Sequence, residues 1–324
     1  MTSALNRTLL YDRHLLALGR MGPVFDFELP YEYAERRESE YWAVRKAVAV
    51  ADGDFMRRLA VRGYGALELL QNIVTGDIGK LQSGMMSYQL VCRPDGEMLD
   101  SGTIIRLGTD SYLLITDKPE IQDHLRDVSV GYDVDIEDVS DQSFMLTIQG
   151  PRSADVALAL AGPVSSNLKA RQVAAFDRMG RRGLISRFGF TGEGGFELFV
   201  EPEEAPWFWD QSLNCGAVPC GYLAAEDLRI GAGYVSLDKE NGNPFENRLG
   251  GLVDFAKRDF IGREALQGIL KKGLEKALIW LLLHETADLP LEKADIEISG
   301  ERVGQVSSFG LFWQKGLSLA MGYV

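Results

Sequence analysis

Residues 86–116 constrain the fold of this chain more than any other stretch. Three β-rich runs, MSYQLVC (86–92), MLDSGTIIRL (98–107) and YLLIT (112–116), are joined by RPDGE and GTDS, short turns that each contain glycine. Connections this short cannot hold the crossover that a parallel pair needs, so the runs must be antiparallel neighbours. A second stretch argues the same way. In FGFTGEGGFELFVEP (188–202) four glycines fall within seven residues, yet no register satisfies G-x-G-x-x-G, and the loop opens into a strand rather than a helix. A dinucleotide fold is disfavoured. An α+β chain of antiparallel sheets with flanking helices is expected instead.

Elsewhere, residues 32–50 have helical spacing, with Tyr41, Val44 and Val48 on one stripe. An alternating strand follows at 58–62, then a helix over 66–74. Gln149-Gly-Pro-Arg-Ser opens another helix, Pro151 being tolerated in a first turn. Further helices are expected over 203–213 and 223–229, and a hairpin across Gly300 near the end. A chain of 324 residues suits two or three domains. The expected boundaries are 1–145, 146–270 and 271–324.

Composition excludes several function classes. A net charge of −13 argues against a nucleic-acid surface. The one dense basic run, 178–182, reads as a solvated hairpin tip. Cys92, Cys215 and Cys220 form neither a disulfide framework nor a CxxC clip, and His14, His124 and His284 lack metal-ligand spacing, so no metal is expected. The N-terminus lacks the pattern of a secretory leader, and the longest apolar run, 277–283, is far shorter than the roughly 18 residues of a membrane span. The expectation is a cytoplasmic protein with no membrane partner.

Candidate chemistry centres on a few polar residues. Glu197 follows the Gly-rich loop and lies between Phe196 and Leu198, so strand alternation sends it to the face opposite them, where a buried carboxylate needs a partner. Arg229, near the end of a helix that finishes in glycines, could bridge to it, or else satisfy helix carbonyls. Asp100 sits where an acid at a strand end could reach a cavity. Asn243-Pro-Phe-Glu246 is a turn signal.

Taken together, several segments resemble the glycine-cleavage T-proteins, the folate-dependent aminomethyltransferases. FGFTGEGGFEL (188–198) resembles their GYTGEdGFE signature. Further matches follow in order: LLYDRHLLALG (9–19), AVRKAVAVAD (43–52), IQGPRS (148–153), LAAEDLRIGAG (223–233), NPFE (243–246), RDFIGREAL (258–266), and the closing GERVGQVSSF with LSLAMGYV. The resemblance implies a multidomain α+β fold whose last part, 271–324, is a partial, truncated C-terminal β-barrel. It also implies that Glu197 accepts from the amino and amide N–H groups of a tetrahydrofolate ring, matching two donors with two acceptors, and that the glycines let backbone lie against that ring. Tyr88 falls on a folate-contacting tyrosine and Arg229 on an arginine near the ring.

The departures bear on the chemistry. Where the family has a catalytic Asp-Asp, this chain has Asp100-Ser101. The family's Asp-x-Ser-His-Met becomes Asp52-Gly-Asp54-Phe55-Met56, its GYTGE tyrosine is Phe190, its asparagine after the meander is Asp117, and a glutamate becomes Gly231. The folate cradle is better kept than the aminomethyl chemistry. The expectation is therefore a tetrahydrofolate-dependent one-carbon transferase, with Asp100 or Ser101 catalytic and Glu197, Arg229, Tyr88, Phe190 and Asp117 holding folate. A small methyl or aminomethyl donor, a lipoyl carrier or a partner subunit would complete it. A non-catalytic folate-binding relative and a subunit of a larger demethylase or oxidase are the alternatives.

Overall fold

A computed structural model describes residues 5–34, 36–284 and 291–324. The chain divides into two compact units, Met1–Arg58 with Asp138–Ala232, and Leu59–Glu137 with Gly233–Val324. Each unit is assembled from two separate stretches, a division that differs from the three consecutive segments expected. The reason is visible in strand pairing. Ala49–Asp52 lies beside Phe144–Gln149 in one sheet, which brings the start of the chain into the same unit as its middle.

The first unit is built on a six-stranded sheet in the order Val173–Arg178, Arg181–Ser186, Gly195–Val200, Phe144–Gln149, Ala49–Asp52, Val218–Pro219. All neighbours are antiparallel except the last pair. Phe196, Leu198 and Val200 alternate onto one face and pack with Leu146, Ile148, Phe208 and Trp209 in an apolar core. The helices Ser153–Ala161 and Ala205–Asn214 supply the covering side chains of that core. The expected hairpin tip at 178–182 is present, with Met179 and Gly180 both at positive φ (57° and 85°), the conformation that a two-residue reverse turn between twisted strands requires.

The helix expected over 32–50 is shorter, Arg37–Lys46, flanked by the strands Phe27–Tyr33 and Ala49–Asp52. Tyr41 and Val44 are buried on the helix as the spacing implied. Val48, in the connection after the helix, and Val50, in the strand Ala49–Asp52, instead both enter the core, and the β-branched Val50 suits its strand.

In the second unit the meander forms as expected. Met85–Cys92, Met98–Gly108 and Ser111–Thr116 are sequential antiparallel neighbours in a five-stranded sheet completed by Arg57–Arg62 and Asp135–Asp138. Val91, Ile104 and Leu114 point to one face, packed with Leu69, Leu70 and Ile73 of the helix Ala66–Ile73. Leu90 points to the other, toward Phe260 and Leu266. The C-terminal strands correct the barrel expectation. Among the described residues they form an open four-stranded antiparallel sheet, in the order Leu278–Leu282, Leu317–Tyr323, Glu301–Phe312, Asp295–Ile298. Its hairpin turns across Ser299 and Gly300. No helix among the described residues is long and apolar enough to cross a membrane.

Candidate functional site

In the first unit, Glu197 occupies the middle of a polar row. Register pairs it with Ser186 on one neighbouring strand and Thr147 on the other, so all three project from the face opposite the apolar core. Glu197 Oε2 accepts from Ser186 Oγ at 2.9 Å. Glu197 is 5% exposed, and burial pushes its carboxyl up to about 7, against a smaller downward pull from Ser186. Ser186 is its one hydrogen-bond partner among the described residues. Thr147 Oγ1 is buried and has none.

The expected bridge from Arg229 to Glu197 is not formed. Arg229 lies on the helix Tyr222–Ala232, and its Nε and Nη2 donate to Glu226 Oε1 and Oε2 at 2.8 and 3.0 Å. A residue three positions back on a helix is already in reach, so the local pair forms first. Asp227, one residue on, is held by Arg37 through two hydrogen bonds.

The Gly-rich loop packs on itself, which revises the role expected for its glycines. A side chain at Gly195 would come within 2.4 Å of Gln149 Nε2, and one at Gly189 within 2.8 Å of Gln149 Oε1. Gly192 has φ of +82°, which L side chains rarely adopt. Only Gly194 of the four has open space around it. Gly189 and Gly195 therefore serve the loop's own closure over Gln149, whose Oε1 accepts from Thr191 and whose Nε2 reaches the Phe188 carbonyl, while Gly192 serves the turn itself. Arg45 fixes the loop tip by donating to Glu193 Oε1 at 3.1 Å. Phe190 lies half-buried in the same loop.

In the second unit, Asp100 and Ser101 are neighbours in the strand Met98–Gly108 and so point to opposite faces. Asp100 pairs in register with Val91 and is fully buried on the face of the main apolar cluster. Its Oδ2 accepts from Thr116 Oγ1 and its Oδ1 from the Ser101 N–H, both at 2.7 Å. Burial pushes the Asp100 carboxyl up to about 7, opposed by the Thr116 hydrogen bond. Ser101 pairs with Leu90 on the other face. There it meets Tyr88, whose phenol burial pushes up to about 12 against a weaker pull from a hydrogen bond with the Ser101 side chain. Asp117 follows the next strand, and its charge acts on both Tyr88 and Asp100. Burial also raises the Asp117 carboxyl, to about 6, with Lys118 opposing. The strand register thus gathers Tyr88, Asp100, Ser101 and Asp117 into one neighbourhood, split between two faces.

The sequence reading passed over two features. The Ser186–Glu197–Thr147 row needs the register of three strands, although a lone threonine inside Phe144–Gln149 is a hint. The second is a buried relay in the first unit. Tyr33 Oη lies 2.8 Å from His14 Nδ1, and His14 Nε2 lies 2.9 Å from Asp52 Oδ2, which also accepts from Thr8 Oγ1 at 2.5 Å. Asp54 and Phe55, two of the departures, find local partners: Asp54 Oδ1 accepts from Arg58, and Phe55 stacks on Phe25 at 5.2 Å between centroids. Among the described residues no group of three or more His, Cys, Asp or Glu could hold a metal ion.

Comparison with known proteins bears on this arrangement. The family described as GCVT N-terminal domain matches residues 10–257. The aminomethyltransferase of Halothermothrix orenii is 30% identical, over 99% of this chain and 92% of its own length. Those of Streptomyces coelicolor and Thermus thermophilus are each 32% identical, covering 100% and 98% of this chain and 90% and 91% of theirs. Among solved structures, the glycine cleavage system aminomethyltransferase T from Bartonella henselae matches with a TM-score of 0.89 and 25% identity, over 99% of this chain and 90% of that one. The chain belongs to the glycine-cleavage T-protein family, whose members compared here are aminomethyltransferases.

Proposed function

We infer that this chain is a tetrahydrofolate-dependent one-carbon transferase, moving a methyl or aminomethyl group from a small donor to folate. The observation that carries the reading is Glu197, a buried carboxylate with a single hydroxyl bonded to it. An ionised carboxylate presents two acceptors side by side, and the amino and amide N–H groups of the folate ring are two donors with the same spacing. Tetrahydrofolate supplies the nucleophilic ring nitrogen that receives the carbon unit. The chain's own groups bind and orient. Glu197 takes the ring donors in its ionised form, so affinity rises with pH through about 7. Arg229 and Phe190, in the same unit, are the other folate contacts in this reading.

Of the two residues expected to act in catalysis, Ser101 is assigned to the reacting group, because it shares a face with Tyr88. Asp100 is assigned a positioning role, holding the Ser101 N–H and the Thr116 hydroxyl from the other face. A neutral hydroxyl is a weak acid or base, and losing a strong one costs roughly 10²- to 10⁴-fold in rate. Fixing two reactants together can lower a barrier by on the order of 7 to 11 kcal/mol, so proximity carries most of the rate. The same hydroxyl favours the second reading, a folate-binding relative without turnover.

Calorimetry with tetrahydrofolate tests the first step. A screen of O-, S- and N-methyl donors and an aminomethylated lipoyl carrier, scored by the folate product, tests the second. Binding with turnover supports the transferase. Binding without turnover for any donor supports the second reading, and an absence of binding overturns both.

A further inference from the structure

Thr147 is a buried group that the proposed chemistry leaves unexplained. It is 5% exposed, and its hydroxyl has no hydrogen-bond partner among the described residues. A hydroxyl taken from water and left unbonded costs free energy, so its place in the middle of a sheet asks for a reason. Valine would fill nearly the same volume and suit the strand better.

Its surroundings say where the hydroxyl is available. Thr147 stands opposite Glu197 in register, and opposed side chains have Cβ atoms about 4.5 to 5.5 Å apart. On the other flank the register partner is Ala51, and the γ-methyl of Thr147 is turned toward Gly53, where an added Cβ would meet it at 3.3 Å. The row therefore runs serine, glutamate, threonine, alanine. The side chains beyond the carboxylate stop short on the Thr147 side, while on the other side Ser186 is already spent in donating to Oε2.

We propose that Thr147 is a second recognition residue of the Glu197 subsite, donating its hydroxyl proton to the acceptor that flanks the ligand's donor pair. The inference rests on the folate reading of Glu197 and extends it. In a 2-amino-4-oxo ring the amino and amide donors are flanked by an acceptor on each side, a ring nitrogen beyond the amino group and the oxygen beyond the amide. Whichever way the ring lies, one acceptor meets Thr147 while Glu197 takes the donors. The pair reads donor, donor, acceptor along one edge, which a lone carboxylate cannot do.

The test compares wild type, Thr147→Val and Thr147→Ser by calorimetry with tetrahydrofolate and by urea unfolding without ligand. Thr147→Val should bind about 3- to 10-fold more weakly, the range for one neutral hydrogen bond, and Thr147→Ser should bind as wild type does. Its unfolding midpoint should not fall, because no bond in the free protein is lost. Equal affinity of wild type and Thr147→Val overturns the proposal while the folate reading stands. So does a clear loss of stability in Thr147→Val, which would reveal a partner for the hydroxyl in the free protein. A wild type with no affinity overturns the folate reading and this inference together.

Discussion

Glu197→Gln is the substitution whose effect can be worked most directly from the geometry, because the amide keeps an oxygen for the Ser186 hydroxyl but cannot titrate. The Glu197 carboxyl moves from 4.5 to about 7 on folding, chiefly through burial. A raised pKa means that the folded state holds the proton more tightly than the unfolded chain. The group's contribution to stability is therefore complete below about pH 4.5 and is lost as pH rises through about 7. At about 1.4 kcal/mol for each pH unit between the two values, the loss is at most about 3 to 4 kcal/mol. Urea unfolding of both proteins from pH 4 to pH 8 measures it. The Asp100 carboxyl titrates in the same window but is common to both, so it cancels in the difference. The variant should be the more stable protein at pH 8, by up to about 3 to 4 kcal/mol, and the two should converge near pH 4. Tetrahydrofolate affinity should move the other way, falling about tenfold or more with the loss of a charged acceptor. Stability profiles that run parallel across the whole range would refute the reasoning, since they would mean that the carboxylate is solvated in the folded protein.

Three further outcomes follow from contacts already described. Gly195→Ala should cost about 1 to 3 kcal/mol in thermal or urea unfolding because its Cβ meets the Gln149 amide, whereas Gly194→Ala should stay within about 0.5 kcal/mol; equal effects would contradict the packing described for the loop. Thr116→Val removes the side-chain donor to buried Asp100 and should destabilise by about 1 to 3 kcal/mol, more above pH 7 than below it, as unfolding at pH 5 and pH 8 will show. Ser101→Asp restores a carboxylate on the face that carries Tyr88 and should raise ammonia release from an aminomethylated lipoyl carrier by about 10²-fold; a folded variant no faster than wild type would remove position 101 from the chemistry.

Local signals made much of the fold legible. Turns with glycine announced the meander, the 178–182 hairpin and the Gly300 hairpin, because each is settled by a few consecutive residues. The overlong helix at 32–50 shows the limit of spacing. Val48 fits a helical stripe equally well, but the helix ends at Lys46 and Val48 reaches the core from the connection to the strand Ala49–Asp52, which only its pairing with Phe144–Gln149 settles. Glu197 was visible as a carboxylate in an apolar strand, but its row with Thr147 and Ser186 depends on pairing between residues far apart in the chain. An Arg229–Glu197 bridge depends on tertiary proximity that no local signal carries, and Arg229 pairs instead with Glu226 on its own helix. Glycines in a motif carry no mark of whether they clear space for a ligand or for a neighbouring glutamine.

The placement of Asp100 and Ser101 on opposite faces of one strand has a consequence for how this site can diversify. Position 100 answers to folding, since its carboxylate is enclosed with Thr116 and the Ser101 N–H. Position 101 faces away from that network and can change character, acid to hydroxyl or back, without disturbing it. Two adjacent positions thus differ in what a substitution disturbs, the enclosed network at 100 and only the opposite face of the strand at 101. A change of side chain at 101 should therefore leave the strand and its buried acid in place, so that a gain or loss of turnover in such a variant reports on chemistry and not on stability.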